Sequence, residues 1–143
     1  MSDSENILDE MTGHCLCGAV GFTAGGIETH HHACHCEMCR RWSGGPYMAA
    51  KAKTMRFVGG EHLSTYASSD WAERAFCAKC GSNIYYRLRR GGDYFVSVGT
   101  FDDPTPFKVI GEIYIDAKPP GYDLAGDHPR LTEKEVLETF GIG

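Results

Sequence analysis

The sequence predicts a mainly β fold with antiparallel strands, held together by metal. Three observations lead there: strand-sized runs rich in Val, Ile, Phe and Tyr, 18 glycines that punctuate them, and seven cysteines gathered into clusters. A chain of 143 residues with 42% hydrophobic side chains fits one globular domain with a modest core.

Residues 1–11 are polar and acidic and are expected to form a flexible arm, with a single domain over 12–143. From there the expected strands are Gly18–Thr23, Tyr47–Ala52, Met55–Val58, Leu63–Ala67, Arg74–Phe76, Asn83–Leu88, Tyr94–Val98 and Glu112–Ile115, separated by turns such as Gly59-Gly60 and Gly91-Gly92. Two helical pieces interrupt them. One is a short turn over 37–42; the other is a C-terminal helix over 132–140. There Thr132-Glu133-Lys134-Glu135 offers a capping box and Val136, Leu137 and Phe140 share a face that would cover the sheet. Asp102-Asp103-Pro104-Thr105-Pro106 and Lys118-Pro119-Pro120-Gly121-Tyr122 read as turns, because proline cannot join a central ladder.

Composition excludes several classes of function. A net charge of −5 argues against a surface that neutralises phosphates, so no nucleic-acid partner is expected. No run approaches the ~20 apolar residues of a membrane span, and Met1–Glu10 is acidic where an export signal is basic and then apolar, so a cytoplasmic protein without a membrane partner is expected. Assembly into a homo-oligomer is left open.

The cysteines carry the chemistry. Seven is an odd number, and clustered cytosolic thiols favour metal over disulfides. Cys15-Leu16-Cys17 and Cys77-Ala78-Lys79-Cys80 each offer two ligands from a tight turn, and Gly81 after the second resembles the glycine of a zinc knuckle. Cys34-His35-Cys36-Glu37-Met38-Cys39 offers three thiolates, one short of a tetrahedron, which is the ligand count of a catalytic zinc with an open position.

Spacing leaves alternatives. His35, or one of His30, His31 and His32, could close the three-cysteine site, or the histidine run could be a solvated loop. Cys36 and Cys39 could pair with Cys77 and Cys80 as a zinc ribbon, stranding the other three cysteines. His35-Cys36-Glu37 with Cys77-x-x-Cys80 partly matches the nucleobase-deaminase pattern, but Phe76 stands where proline belongs. No ferredoxin-type four-cysteine spacing occurs.

Three thiolates around a zinc ion leave a net charge of −1 and a weak Lewis acid, which suits binding and deprotonating a thiol better than activating water. The chemistry expected is therefore a small thiol activated to attack an electrophile such as an aldehyde carbon.

Taken in order, four segments resemble the glutathione-dependent formaldehyde-activating enzyme family, which includes centromere protein V. They are Gly13-His14-Cys15-Leu16-Cys17-Gly18-Ala19-Val20, Cys34-His35-Cys36-Glu37-Met38-Cys39-Arg40-Arg41, Phe76-Cys77-Ala78-Lys79-Cys80-Gly81-Ser82 and Val96-Ser97-Val98-Gly99-Thr100-Phe101-Asp102. The resemblance implies stacked antiparallel sheets of the Mss4-like type. It also implies two zinc ions, one structural on Cys15, Cys17, Cys77 and Cys80 and one catalytic on Cys34, Cys36 and Cys39. The implied activity is a carbon–sulfur lyase reaction run toward synthesis, joining glutathione and formaldehyde as S-hydroxymethylglutathione. A non-catalytic zinc-stabilised binding module, or a glutathione carrier, is the alternative.

Glutathione has two carboxylates, which arginine can hold by paired hydrogen bonds. Arg40 and Arg41 adjoin the three-cysteine run and are the expected contacts, ahead of Arg87, Arg89 and Arg90. Trp42 and Tyr47 are candidate pocket walls or core residues, and Gly99–Pro104 reads as a turn.

Overall fold

The computed structural model describes residues 6–89 and 92–140. Arg90 and Gly91, named above as a candidate contact and part of a turn, lie outside the described residues. In chain order the elements are β1 (Ile7–His14), β2 (Gly21–Glu28), β3 (His30–Cys34), α1 (Glu37–Ser43), β4 (Tyr47–Ala52), β5 (Thr54–Val58), β6 (Leu63–Ala67), β7 (Ala72–Cys77), β8 (Asn83–Leu88), β9 (Tyr94–Ser97), β10 (Lys108–Ile113), β11 (Arg130–Leu131) and α2 (Glu133–Phe140). They fall into two compact units.

The first unit takes the described residues through His30 and those of Ala49–Lys108. It contains an antiparallel sheet in the order β1-β2-β5 and a run in the order β4-β9-β8-β7-β6. Their inner faces meet in one core. From β2 come Phe22, Ala24 and Ile27; from the second run come Ala50, Ala52, Ala75, Ile84, Tyr85 and Val96. Ile27, Ile84 and Val96 have no exposed surface, and burial of such side chains contributes roughly 1.5–3 kcal/mol each. Burial, reinforced by the charge of Glu73, pushes the Tyr85 phenol up to about 12, so it enters the core uncharged.

Two glycines are dictated by close approach. A Cβ on Gly13 would strike the Phe22 ring and the Thr100 carbonyl, and one on Gly59, where φ is 73°, would strike the Ala19 carbonyl oxygen. No other residue fits there without moving backbone.

β1 corrects the extent of the expected arm. Seven partner pairs from Ile7↔Glu28 to His14↔Gly21 bind it to β2, so residues 7–11 belong to a strand and not to an arm. Its side chains are mostly exposed; main-chain hydrogen bonds hold it, and these leave no hydrophobic period in the sequence.

The second unit takes His31–Met48 and the described residues from Val109. Its strands run β11-β10-β3, and β10 and β11 are parallel, with Glu112 opposite Arg130. The sheets are thus not wholly antiparallel. The histidine run, read as a candidate loop, is strand β3: His31 is buried, while His32 faces Gly111 and the Phe140 ring, whose centroid is 6.2 Å away. The expected strand Glu112–Ile115 is the end of β10, because Tyr114 adopts φ 56° and turns the chain into a 3₁₀ turn at Ile115–Ala117. The capping box forms as expected: the Thr132 amide donates to Glu135 Oε1 at 2.9 Å and the Glu135 amide to Thr132 Oγ1 at 3.3 Å. Of the α2 apolar face only Val136 is buried; Leu137 and Phe140 stay largely exposed.

Candidate metal centres

Four cysteines gather in the first unit. The loop after β1 carries Cys15 and Cys17, and the end of β7 and the loop after it carry Cys77 and Cys80. Each loop closes on a short turn: the Gly18 amide donates to the Cys15 carbonyl at 3.1 Å, and the Gly81 amide to the Cys77 carbonyl at 2.8 Å. Gly18 and Gly81 take φ of 80° and 79°, the left-handed geometry that glycine adopts without cost. The Leu16 amide donates to Ser82 Oγ at 3.0 Å, tying one loop to the other.

The four sulfurs lie within 4.8 Å of one another. Cys15 to Cys17 is 3.7 Å and Cys17 to Cys77 is 3.8 Å, close to the ~3.8 Å edge of a tetrahedron with zinc–sulfur bonds of about 2.3 Å. Amides support the sulfurs: Val20 donates to Cys15 at 3.3 Å and Lys79 to Cys77 at 3.4 Å. The Ser82 hydroxyl and amide bring the Cys80 thiol down to about 5. The Ala19 amide favours a Cys17 thiolate, yet loss of water and the thiols of Cys15, Cys80 and Cys77 outweigh it and push Cys17 up to about 11. Four sulfurs that compete for negative charge form a donor set suited to a soft dication.

Three cysteines gather in the second unit. Cys34 ends β3, Cys36 caps α1, and Cys39 lies one helical turn on, its amide 3.4 Å from Cys36 Sγ. Glu37 in the first turn complements the helix, and Gly44, with φ 80°, closes it by donating to the Arg40 carbonyl at 2.8 Å. The three sulfurs also lie within 4.8 Å of one another. Hydrogen bonding to Cys36 and Cys39, then burial and their charge, pushes the Cys34 thiol far above the usual thiol range. The trio cannot carry three negative charges unaided, so its donor chemistry also fits a cation.

Among the described residues no histidine ring or carboxylate joins this trio. His35 is buried, and its Nε2 lies 2.7 Å from Glu112 Oε1. His31 Nδ1 is 3.2 Å from the His32 carbonyl oxygen. The zinc-ribbon pairing is likewise not formed, since Cys36 and Cys39 group with Cys34 and not with Cys77 and Cys80. Burial, followed by the charge of Cys34 and Cys36, raises the Tyr114 phenol above the ordinary value.

The candidate substrate contacts are less gathered. Arg41 Nε lies 3.5 Å from Glu37 Oε2, and the side chain is 70% exposed. Arg40 is half-buried on the same helix. Arg87 donates to the Gly92 carbonyl and stacks on Tyr94, and Arg89 is exposed. Tyr47 is buried against Trp42, with ring centroids 5.2 Å apart. In the first unit, Asp102 accepts from Thr12 Oγ1 at 2.7 Å and meets His14 Nδ1 at 2.7 Å, while Asp103 accepts from the amide and hydroxyl of Thr105. The Asp103 contacts are turn chemistry, as expected, whereas those of Asp102 tie the turn to β1.

The sequence reading missed Glu112, the partner of His35. A lone glutamate among apolar strand residues, Val109-Ile110-Gly111-Glu112-Ile113, is the signal that could have found it.

A mainly β chain that gathers four thiols in one centre and three in another defines a thiol-rich class of protein with two clusters that could hold metal ions. The chain belongs to the glutathione-dependent formaldehyde-activating enzyme family, whose pattern it matches over residues 10–117. It is 34% identical over 135 residues to an uncharacterized lyase of Schizosaccharomyces pombe, covering 93% of this chain and 98% of that one. The crystal structure of a Rhodobacter sphaeroides protein superposes with a TM-score of 0.54 at 25% identity, over 84% of this chain and 99% of the other. Among the described residues no helix is long and apolar enough to cross a membrane.

Proposed function

We propose that the protein is a zinc-dependent carbon–sulfur lyase of the S-hydroxymethylglutathione synthase type, adding the thiol of glutathione to formaldehyde or a related small aldehyde. One observation carries this reading: the sulfurs of Cys34, Cys36 and Cys39 converge within 4.8 Å with no fourth ligand beside them among the described residues, while His35 is turned to Glu112. Family membership supports the same substrates.

Cys34, Cys36 and Cys39 would hold the catalytic zinc and Cys15, Cys17, Cys77 and Cys80 the structural one. A zinc ion with three thiolates supplies a position at which an incoming thiol is bound as thiolate at neutral pH. The three cysteine sulfurs fix where that thiol arrives. Arg40 and Arg41 on α1 hold the glutathione carboxylates nearby. The glutathione sulfur would then add to the aldehyde carbon: a carbon–sulfur bond would form, the carbonyl electron pair would move to oxygen, and that oxygen would take up the proton lost by the thiol. The net change is addition of S–H across C=O, so no oxidant or reductant is consumed.

The test is the rate of S-hydroxymethylglutathione formation and breakdown measured by exchange NMR, against the spontaneous reaction. A rate above background that Cys39→Ser abolishes is expected. Glutathione binding with no acceleration would leave the protein a glutathione carrier and overturn the enzymatic reading.

A further inference from the structure

Glu112 is 1% exposed, and both its oxygens are engaged. Oε1 takes His35 Nε2 at 2.7 Å; Oε2 takes His128 Nε2 at 2.7 Å and Arg130 Nε at 2.9 Å. An ionised carboxylate only accepts, so each imidazole presents an N–H to it at Nε2. Arg130 neutralises the glutamate charge and is itself held, its Nη2 donating to the carbonyls of Leu124 and Gly126 at 3.0 and 2.9 Å. The Glu112 amide donates to the Pro129 carbonyl at 2.9 Å. Both oxygens of the carboxylate thus have donors, as a buried charge requires.

His35 stands between Cys34 and Cys36. Its ring is pinned at Nε2 by Glu112, and its amide donates to the Ile113 carbonyl at 3.0 Å. The backbone that spaces the two sulfurs is thereby held at two points by β10. We infer that Glu112 is a positioning residue of the three-cysteine centre, fixing the His35 ring and so the separation of Cys34 and Cys36 on which metal affinity depends. The inference rests on reading that centre as a zinc site.

Residues that orient metal ligands from behind typically alter affinity by about 10–100-fold when removed. Glu112→Gln keeps the shape but turns one acceptor into a donor facing a donor. The experiment uses full-length, zinc-loaded protein and reads both zinc affinities by chelator competition. It compares wild type, Glu112→Gln and His128→Ala, with thermal melting alongside. The weaker-held zinc should lose about 10–100-fold in affinity in Glu112→Gln and less in His128→Ala, with the tighter zinc unchanged. A purely structural role would lower the melting temperature without separating the two affinities. A folded Glu112→Gln protein with both affinities at wild-type values overturns the inference. If that variant does not fold, unchanged second-zinc affinity in His128→Ala overturns it instead. Should wild type itself bind a single zinc, the reading of the three-cysteine centre fails before any variant is examined, and this inference falls with it.

Discussion

The two cysteine centres use the same donor atom and differ in what closes them. The four-cysteine centre is built from two loops of the first unit that are braced against each other, with a left-handed glycine in each and Ser82 bonded across. Cys77 is wholly buried and belongs to the core cluster. The three-cysteine centre is built from one strand end and one helical turn; among the described residues no histidine ring joins it, and its neighbour His35 is turned to the buried carboxylate of Glu112. A closed donor set can contribute to folding; an open one can contribute to chemistry. In our reading, the same ligand type therefore does structural work in one unit and catalytic work in the other.

The comparison makes its largest prediction at Cys77. Structural zinc in small domains contributes on the order of 10 kcal/mol to folding at neutral pH, which matches or exceeds the whole stability of a typical domain. Cys77→Ser should abolish the cooperative melting transition and both zincs. Cys39→Ser should melt cooperatively with one zinc left, and lose at least ~100-fold in rate. If the two variants melted alike, the division of labour would be wrong.

Gly59→Ala tests packing in the first unit alone. Its Cβ would collide with the Ala19 carbonyl oxygen at a left-handed φ, so a loss of about 2–3 kcal/mol is expected in denaturant titration, with the second zinc retained.

Glu112 gives a pH signature in the second unit. Burial disfavours its charged form, but hydrogen bonds from His128 and His35, with the charges of His35 and Arg130, outweigh that and hold it below the ordinary value of 4.5. A depressed carboxyl stabilises above its unfolded pKa and loses that contribution as pH falls through the folded one. The stability gap between wild type and Glu112→Gln should therefore be level from neutral pH down to about 5 and close only below the unfolded value. A gap that closed near neutrality would point to another group.

The smallest effect is at the surface. Arg41→Ala loses only an exposed pair with Glu37, so stability should change by less than about 0.5 kcal/mol, while KM for glutathione rises severalfold. An unchanged KM removes Arg41 from the proposed site.

Much of this was legible in the sequence, for identifiable reasons. The strands Tyr47–Ala52, Leu63–Ala67 and Asn83–Leu88 form over the residues expected, because each begins just after a glycine-bearing turn, at Gly44-Gly45, Gly59-Gly60 and Gly81. The Thr132 capping box forms because it depends on neighbours three residues apart. The four-plus-three division of cysteines is written in spacing and in the family motifs, and the folded chain brings those sulfurs together. What escaped was held by distant partners. β1 is acidic and exposed and forms through its ladder with β2; β3 is a histidine run whose burial alternates in a way polar side chains conceal. The Glu112 network joins residues 77 positions apart in sequence, a distance over which a single chain gives no local sign.

Zinc content per chain, measured by elemental analysis before and after dialysis against a mild chelator, with and without glutathione, addresses the contrast between the two centres at its root. Two zincs that fall to one, with glutathione changing the loss, are expected of one closed and one open centre. Two zincs that resist the chelator and ignore glutathione would mean that both centres are closed, and the protein would be a zinc-stabilised binding module.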